Sequence, residues 1–174
     1  TMTDTHSIMS DSKNPLGEVF GYPSDNLTPK AKRYRQKRLC PFNNKVPNCT
    51  KDKANSPLGV CSIDHNDYKV ITCPVRFRED WLIVDHAAQF FFNNTGNWTS
   101  LTETKLVDRN GQSAGNIDYV LVSYDDRGVI TDFGSLEVQA VYISGNLRNP
   151  FESYISSPSK IFEWKKGYNY PKPE

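Results

Sequence analysis

Asp118, Glu137 and Gln139 are the residues whose types and spacing best suit chemistry. Ionised carboxylates offer only acceptor oxygens, and two of them beside an amide make a hard-oxygen set that suits magnesium. A divalent ion in such a set polarises a phosphoryl oxygen and lowers the pKa of a bound water, which is what phosphodiester hydrolysis requires. Gln139 cannot act as a base; an amide only orients a water by hydrogen bonding, so the metal must carry more of the activation. The bland alternative is the wet face of a half-buried sheet, where polar residues alternate with apolar ones. Against it, Ile117, Tyr119, Val120, Leu136 and Val138 crowd the two acids, and carboxylates set among strand-forming apolar residues need a reason to be there.

A β-hairpin would bring these residues together. Ile117, Tyr119, Leu121 and Ser123 alternate with Asp118, Val120, Val122 and Tyr124, a β-branched and aromatic run, and Asp125-Asp126-Arg127-Gly128 supplies a turn. The second strand is predicted over Val129 to Val141. On it Glu137 and Gln139 would share a face, with Asp118 beside the strand end. This layout, D, then a turn, then E-x-Q, resembles the active site of the PD-(D/E)XK nuclease superfamily, with glutamine where most members carry lysine. Ahead of it, Glu79 to Asn93 reads as a helix with Trp81, Val84, Ala88 and Phe91 or Phe92 on one apolar stripe, a packing role. Leu101 to Val107 reads as a strand closed by a turn at Asp108 to Gly111. Glu103 on that strand is either a further carboxylate near the metals or an ordinary exposed strand residue. His65 and His86 read as surface or second-layer residues.

The chain has 174 residues and a formal charge of +1, with a mean hydropathy of −0.63. One domain with a small appended module is the natural size reading. Near-neutral charge excludes a globally basic DNA-coating protein. No apolar run approaches the roughly 18 to 20 residues of a membrane span, and the first residues lack a signal-peptide core. The expectation is a cytoplasmic protein, in which cysteines are better read as thiolates than as disulfides.

Residues 1–14, rich in Ser, Thr and Asp, are expected to form a mobile tail. Pro15 to Pro29 mixes aromatics with turn formers and reads as a docked loop or short helix. Thr28-Pro29 reads as an N-cap and first helical position, opening a helix to about Leu39. That helix carries Lys30, Lys32, Arg33, Arg35, Lys37 and Arg38, the densest positive run in the chain. It is either a solvated face or a surface that meets nucleic-acid phosphates, which such a cluster binds without reading sequence.

All four cysteines, Cys40, Cys49, Cys61 and Cys73, follow in one segment rich in Pro, Asn and Gly. That clustering marks a tetrathiolate site for zinc or iron, compensating for a core too small to fold unaided. No pair is C-x-x-C, and two disulfides are the alternative. Sequons at Asn26, Asn48, Asn93 and Asn97 are expected by chance in a chain so rich in Asn and Thr.

The run of C-P-F at Cys40 to Phe42, then Cys49, G-V-C at Gly59 to Cys61, C-P-x-R at Cys73 to Arg76 and G-x-L-E-x-Q at Gly134 to Gln139 resembles the NotI-type restriction endonucleases. Glu18 to Pro23 is similar to the aromatic, glycine and proline stretch that precedes the cysteines there. The resemblance covers Glu18 to Tyr142. It implies a rubredoxin-like structural iron site at Cys40, Cys49, Cys61 and Cys73. It also implies a PD-(D/E)XK core with Asp118, Glu137 and Gln139 as active-site residues, Asp118 and Glu137 holding Mg²⁺, and cleavage of palindromic double-stranded DNA as a homodimer.

The expected fold class is therefore α+β: a PD-(D/E)XK nuclease-like mixed sheet with a flanking helix, plus a small N-terminal tetracysteine metal-binding module. Boundaries are expected at 1–14 for the tail, 15–38 for the segment with the basic helix, 39–78 for the module and 79–174 for the nuclease-like core. Tyr142 to Glu174, broken by Pro150, Pro158, Pro171 and Pro173, shows poor apolar periodicity. The expectation is a partial core, either the N-terminal part of a longer enzyme or a chain completed by a second one, with Phe151 to Trp164 facing substrate in the first case. Two competing readings are a non-catalytic, metal-stabilised nucleic-acid-binding module and a secreted disulfide domain.

Overall fold

A computed structural model describes residues 14–53, 55–65, 68–93, 96–144, 146–160 and 167–169; the tail expected over residues 1–14 lies outside them except for Asn14. The chain is mixed α+β, with one four-stranded, one three-stranded and two two-stranded sheets among the described residues.

The segment after Asn14 forms strands rather than a loop or short helix. β1 (Leu16–Val19) pairs with β2 (Tyr22–Pro23). Every residue of β1 is buried, so its sequence lacks the alternation that marks a half-exposed strand. α1 (Pro29–Lys37) follows, its Thr28 side chain accepting from the Ala31 N–H. Arg38 ends it in the left-handed region at φ 53, one residue before the expected end. β3 (Asp52–Lys53) and β4 (Ser56–Pro57) make a small hairpin. β5 (Val60–His65) and β6 (Tyr68–Ile71) make another, and β5 lies against β1, giving the order β2-β1-β5-β6.

A 3-10 segment (Pro74–Trp81) leads into α2 (Leu82–Phe92). The helix expected from Glu79 starts later because Asp80 and Trp81 are both left-handed, at φ 50 and 55. The expected stripe survives: Val84, Ala88 and Phe92 are buried, and Trp81 and Phe91 pack beside them. Then come β7 (Asn97–Val107), β8 (Ser113–Tyr124) and β9 (Ile130–Leu136), a fully antiparallel sheet in the order β7-β8-β9. Both predicted turns form. The Asp108 carboxylate accepts from Asn110 and Gln112, and the Asp125 carboxylate accepts from Arg127 and Val129.

β9 stops at Leu136, where a strand to Val141 was expected. The reason is a change of partner: Val138 N–H donates to the Asp118 carboxylate at 3.0 Å, and Val141 N–H donates to Ile71 of β6 at 3.0 Å. The chain thus leaves one sheet and runs to the other. The final segment is more regular than its prolines suggest. β10 (Tyr142–Ser144) pairs with β11 (Gly167–Asn169), and α3 (Arg148–Ser156) lies between them. Pro150 falls in the first turn of α3, where a missing N–H costs no helical bond.

Two cores result. One gathers Leu16, Val19, Phe20, Cys49, Val60, Ile63, Ile143, Phe151 and Tyr154, so α3 and β10 pack with the N-terminal sheet. Of the stretch read as facing substrate, Phe151 and Tyr154 are core residues, and residues 161–166 lie outside the described ones. The second core joins α2 to Tyr119 and Leu121 of β8, with Leu136 and Val138 beside them.

Candidate active site and thiol cluster

Register fixes where the acids stand. Tyr119 pairs with Leu136, the last step of the β8–β9 ladder, and just past it the Asp118 carboxylate accepts from the N–H of Val138, the residue after Glu137, at 3.0 Å. On the other flank Thr102 pairs with Tyr119 and Thr104 with Ile117, which sets position 103 against 118. Glu103 and Asp118 therefore stand opposite each other on β7 and β8, and Glu137 follows the last residue of β9. Asp118 is half-buried, and Glu137 and Gln139 are exposed. The latter two lie beyond the strand that was expected to carry them, and the Val138 N–H between them is bonded to Asp118.

Glu103 is engaged elsewhere. Its backbone is left-handed at φ 52 within β7, and its carboxylate is paired with Lys45 and, at 3.1 Å, with Arg78. Bonds from Lys45 and then Arg78 hold its carboxyl below the ordinary glutamate range. Arg78 also donates to Tyr119 Oη at 3.2 Å and to Asn44 Oδ1 at 2.8 Å. It therefore ties the cysteine-bearing loop to the strand residue next to Asp118. Sequence reading missed Arg78, because nothing in a lone arginine after C-P-x-R announces three partners so distant in the chain.

All four cysteines are free thiols; Cys49, Cys61 and Cys73 are buried, and Cys40 is half-buried. They share one neighbourhood. Burial first, then the charge of neighbouring thiols, pushes up Cys49 (Cys40 and Cys73) and Cys61 (Cys73 and Cys40). Cys40 is pushed up by burial and, to a lesser degree, by Cys73. Among the described residues no three His, Cys, Asp or Glu side chains close to metal-ligand geometry. The thiols thus converge on one region without meeting at a point.

The other motif residues interlock around the cysteines. Glu18, 7 % exposed, accepts from Ser62 Oγ at 2.8 Å and from Arg76 Nε and Nη2 at 3.0 and 3.1 Å. Arg76 in turn lies 4.5 Å over the Phe42 ring. The Phe20 ring lies so close to Gly59 that a Cβ there would come within 2.5 Å of it, and Pro41 packs as closely on Gly21, at 2.2 Å. Lys51, two residues past Cys49, donates to the carbonyls of Val60 and Thr72 at 2.9 and 2.8 Å.

Five of the six cations on or just past α1 are exposed: Lys30, Lys32, Arg33, Lys37 and Arg38. Arg35 is not. It is 9 % exposed, donates to the carbonyls of Asn26 and Pro23 at 2.6 and 2.7 Å, and lies over the Tyr154 ring. Its guanidinium holds the N-terminal turn and does not belong to the free basic face. No helix of the described residues is long and apolar enough to cross a membrane.

A family model described as restriction endonuclease NotI matches residues 24–169. No curated protein matches the chain.

Proposed function

Because the chain belongs to the NotI restriction endonuclease family, we propose that it hydrolyses phosphodiester bonds of double-stranded DNA at Asp118, Glu137 and Gln139, with Mg²⁺. The observation that supports this reading is the bond from Val138 N–H to the Asp118 carboxylate, which holds the residue next to Glu137 against Asp118 just past the end of the β8–β9 ladder. The donor chemistry fits: both are carboxylates, and Asp118 keeps lone pairs beyond the one that Val138 uses. When bound, Mg²⁺ supplies Lewis acidity to the scissile phosphate and lowers the pKa of a water. Asp118 and Glu137 hold it there, and the Gln139 amide orients the attacking water. Cys40, Cys49, Cys61 and Cys73 would hold iron or zinc in a structural role, for which four converging thiols with three of them buried are a suitable soft donor set. The exposed face of α1 meets phosphates. The chain acts as a homodimer or together with a second chain.

Supercoiled plasmid incubated with Mg²⁺, and in parallel with Mg²⁺ and EDTA, tests the reading. Cleavage should appear only without chelator. Glu137→Ala and Asp118→Asn should each lower it by more than about 100-fold, beyond the 10 to 100-fold typical of residues behind the metal ligands, and leave DNA affinity largely intact. Full cleavage by both variants would end the assignment. A second reading is favoured by the five exposed cations on or just past α1: a metal-stabilised module that binds DNA without cutting it. That reading expects affinity and no Mg²⁺-dependent nicking from the wild-type chain.

A further inference from the structure

The β7–β8 hairpin outlasts the sheet it belongs to. The β8–β9 ladder has its last pair at Tyr119 and Leu136, whereas β7 and β8 stay paired through Lys105 with Asn116 and Leu106 with Gly115 to Val107 with Ser113. From Asp118 toward the Asp108–Gly111 turn, the sheet therefore narrows to a two-stranded ribbon. Every residue from 105 to 116 is exposed, and among the described residues a Cβ at Gly111 or Gly115 would meet nothing within 4 Å. The ribbon stands clear of both cores. Between Asp118 and Ser113 it spans roughly 17 Å at the rise of a strand, against a depth of about 8.5 Å for the B-DNA major groove, which is wide enough to admit a two-stranded ribbon.

Its side chains have the chemistry that reads base edges. Arg109 and Lys105 suit guanine, Asn110, Gln112 and Asn116 suit adenine, and Val107, 60 % exposed, offers apolar contact to a thymine methyl. Asp108, the acid at the tip, is taken up by the turn itself: its carboxylate accepts from the N–H groups of Asn110 and Gln112, both at 2.8 Å. The opposite end of the sheet differs. There Asp125, Asp126 and Asp132 outnumber Arg127, a balance that repels phosphates. Charge therefore favours the ribbon end, and Asp118 stands at the ribbon's foot; Asn116, two positions away on the same strand, leaves the same face as Asp118.

We propose that the ribbon of residues 105–116 enters the major groove of duplex DNA and determines sequence specificity, with Arg109, Gln112 and Asn116 meeting base edges while a backbone phosphate lies at Asp118. This rests on the nuclease reading above and deepens it by assigning the element that reads the target.

The test is binding by the full chain without added Mg²⁺, so that it does not depend on cleavage. Duplexes with a randomised central block are selected on the wild type and on each variant, and affinity for unselected duplex is measured by fluorescence anisotropy. The wild type should enrich a motif. Arg109→Lys keeps the charge but lacks the planar fork; it should bind unselected duplex as the wild type does, with the same salt dependence, and lose about 5- to 150-fold of the preference at a guanine position, the worth of one bidentate pair. Gln112→Ala and Asn116→Ala should each lose a comparable preference at an adenine position. An unchanged motif in all three variants overturns the proposal, and so does a wild type that binds duplex but enriches no motif. Equal loss of affinity for every sequence would make the ribbon a phosphate contact and also overturns it, as would Val107→Ser changing the oligomeric state in light scattering while the motif stays intact, which would make the ribbon a contact between copies. A wild type that binds no duplex of any sequence instead sinks the DNA reading itself, and that failure is seen before any variant is compared.

Discussion

Glu18 shows how much a single side chain carries. It joins β1 to Ser62 of β5 and to Arg76 of the 3-10 segment, and these two partners sit one and three residues past a cysteine. Burial would lower the Arg76 pKa, but bonds to Glu18 and Glu79 raise it above the ordinary arginine value. Glu18→Gln should destabilise the chain by about 1–3 kcal/mol in denaturant melts, because the half-buried Arg76 guanidinium then keeps only exposed Glu79 as its countercharge. Glu103 acts differently, being exposed and held by Lys45 and Arg78. A carboxyl depressed on folding adds stability that is complete above its unfolded value and fades as pH falls through its folded one. Its contribution should therefore be present at neutral pH and fade as pH falls below about 4.5, the ordinary value from which it is lowered. Glu103→Gln should flatten the dependence of melting temperature on pH over that acid range and leave neutral pH as the place where the two proteins differ. Neither role could be read from one sequence. Glu18 and Arg76 were visible as letters in two motifs, but a pairing across 58 positions leaves no local periodicity to detect, and the inward turn of Arg35 hides among five exposed cations of the same type.

Elements with a strong local signal were legible. The strand that runs into Asp125 alternates over its second half, and the Asp125 carboxylate holds backbone N–H groups of its own turn, so local chemistry was sufficient there. Thr28-Pro29 marked the start of α1 for the same reason. What was not legible depends on distant partners. β1 is buried at every position, so it lacks alternation, and Pro150 looked like a breaker until its place in the first turn of α3 was known. β9 ends early because Asp118 captures Val138, a bond between elements. The packing of α2 on β9 explains one motif glycine: a Cβ at Gly134 would lie 2.7 Å from the Phe91 ring. Gly134→Ala should force that ring and its helix outward, at a cost of about 1–3 kcal/mol, read as a lower melting temperature. An unchanged melt would mean that the ring rotates aside freely.

The whole molecule is two cores joined by polar ties. Arg78 reaches from the cysteine segment to Tyr119 and Glu103, while Val141 carries the chain back to Ile71. α3 and β10, from the chain's last third, pack into the core that also holds Cys49. Composition implied a size and a charge but not this return of the C-terminal segment, which depends on Phe151 and Tyr154 finding Phe20 and Ser24. At this scale the basic helix is tested by salt. Neutralising Arg33, Lys37 and Arg38 together should reduce the slope of log affinity against log salt by about 0.9 per lost phosphate contact, measured by fluorescence anisotropy on duplex DNA. Arg35→Ala should instead lower stability and leave that slope alone; an identical slope in the triple variant would remove α1 from the interface.

The bond from Val138 N–H to Asp118 also decides how a catalytically dead protein should be made for trapping uncut duplex. Asparagine at 118 still presents a carbonyl oxygen to that N–H, so the ribbon end stays tethered while the formal charge disappears. Alanine would release the tether as well, and any loss it produced would mix missing chemistry with a wandering Glu137.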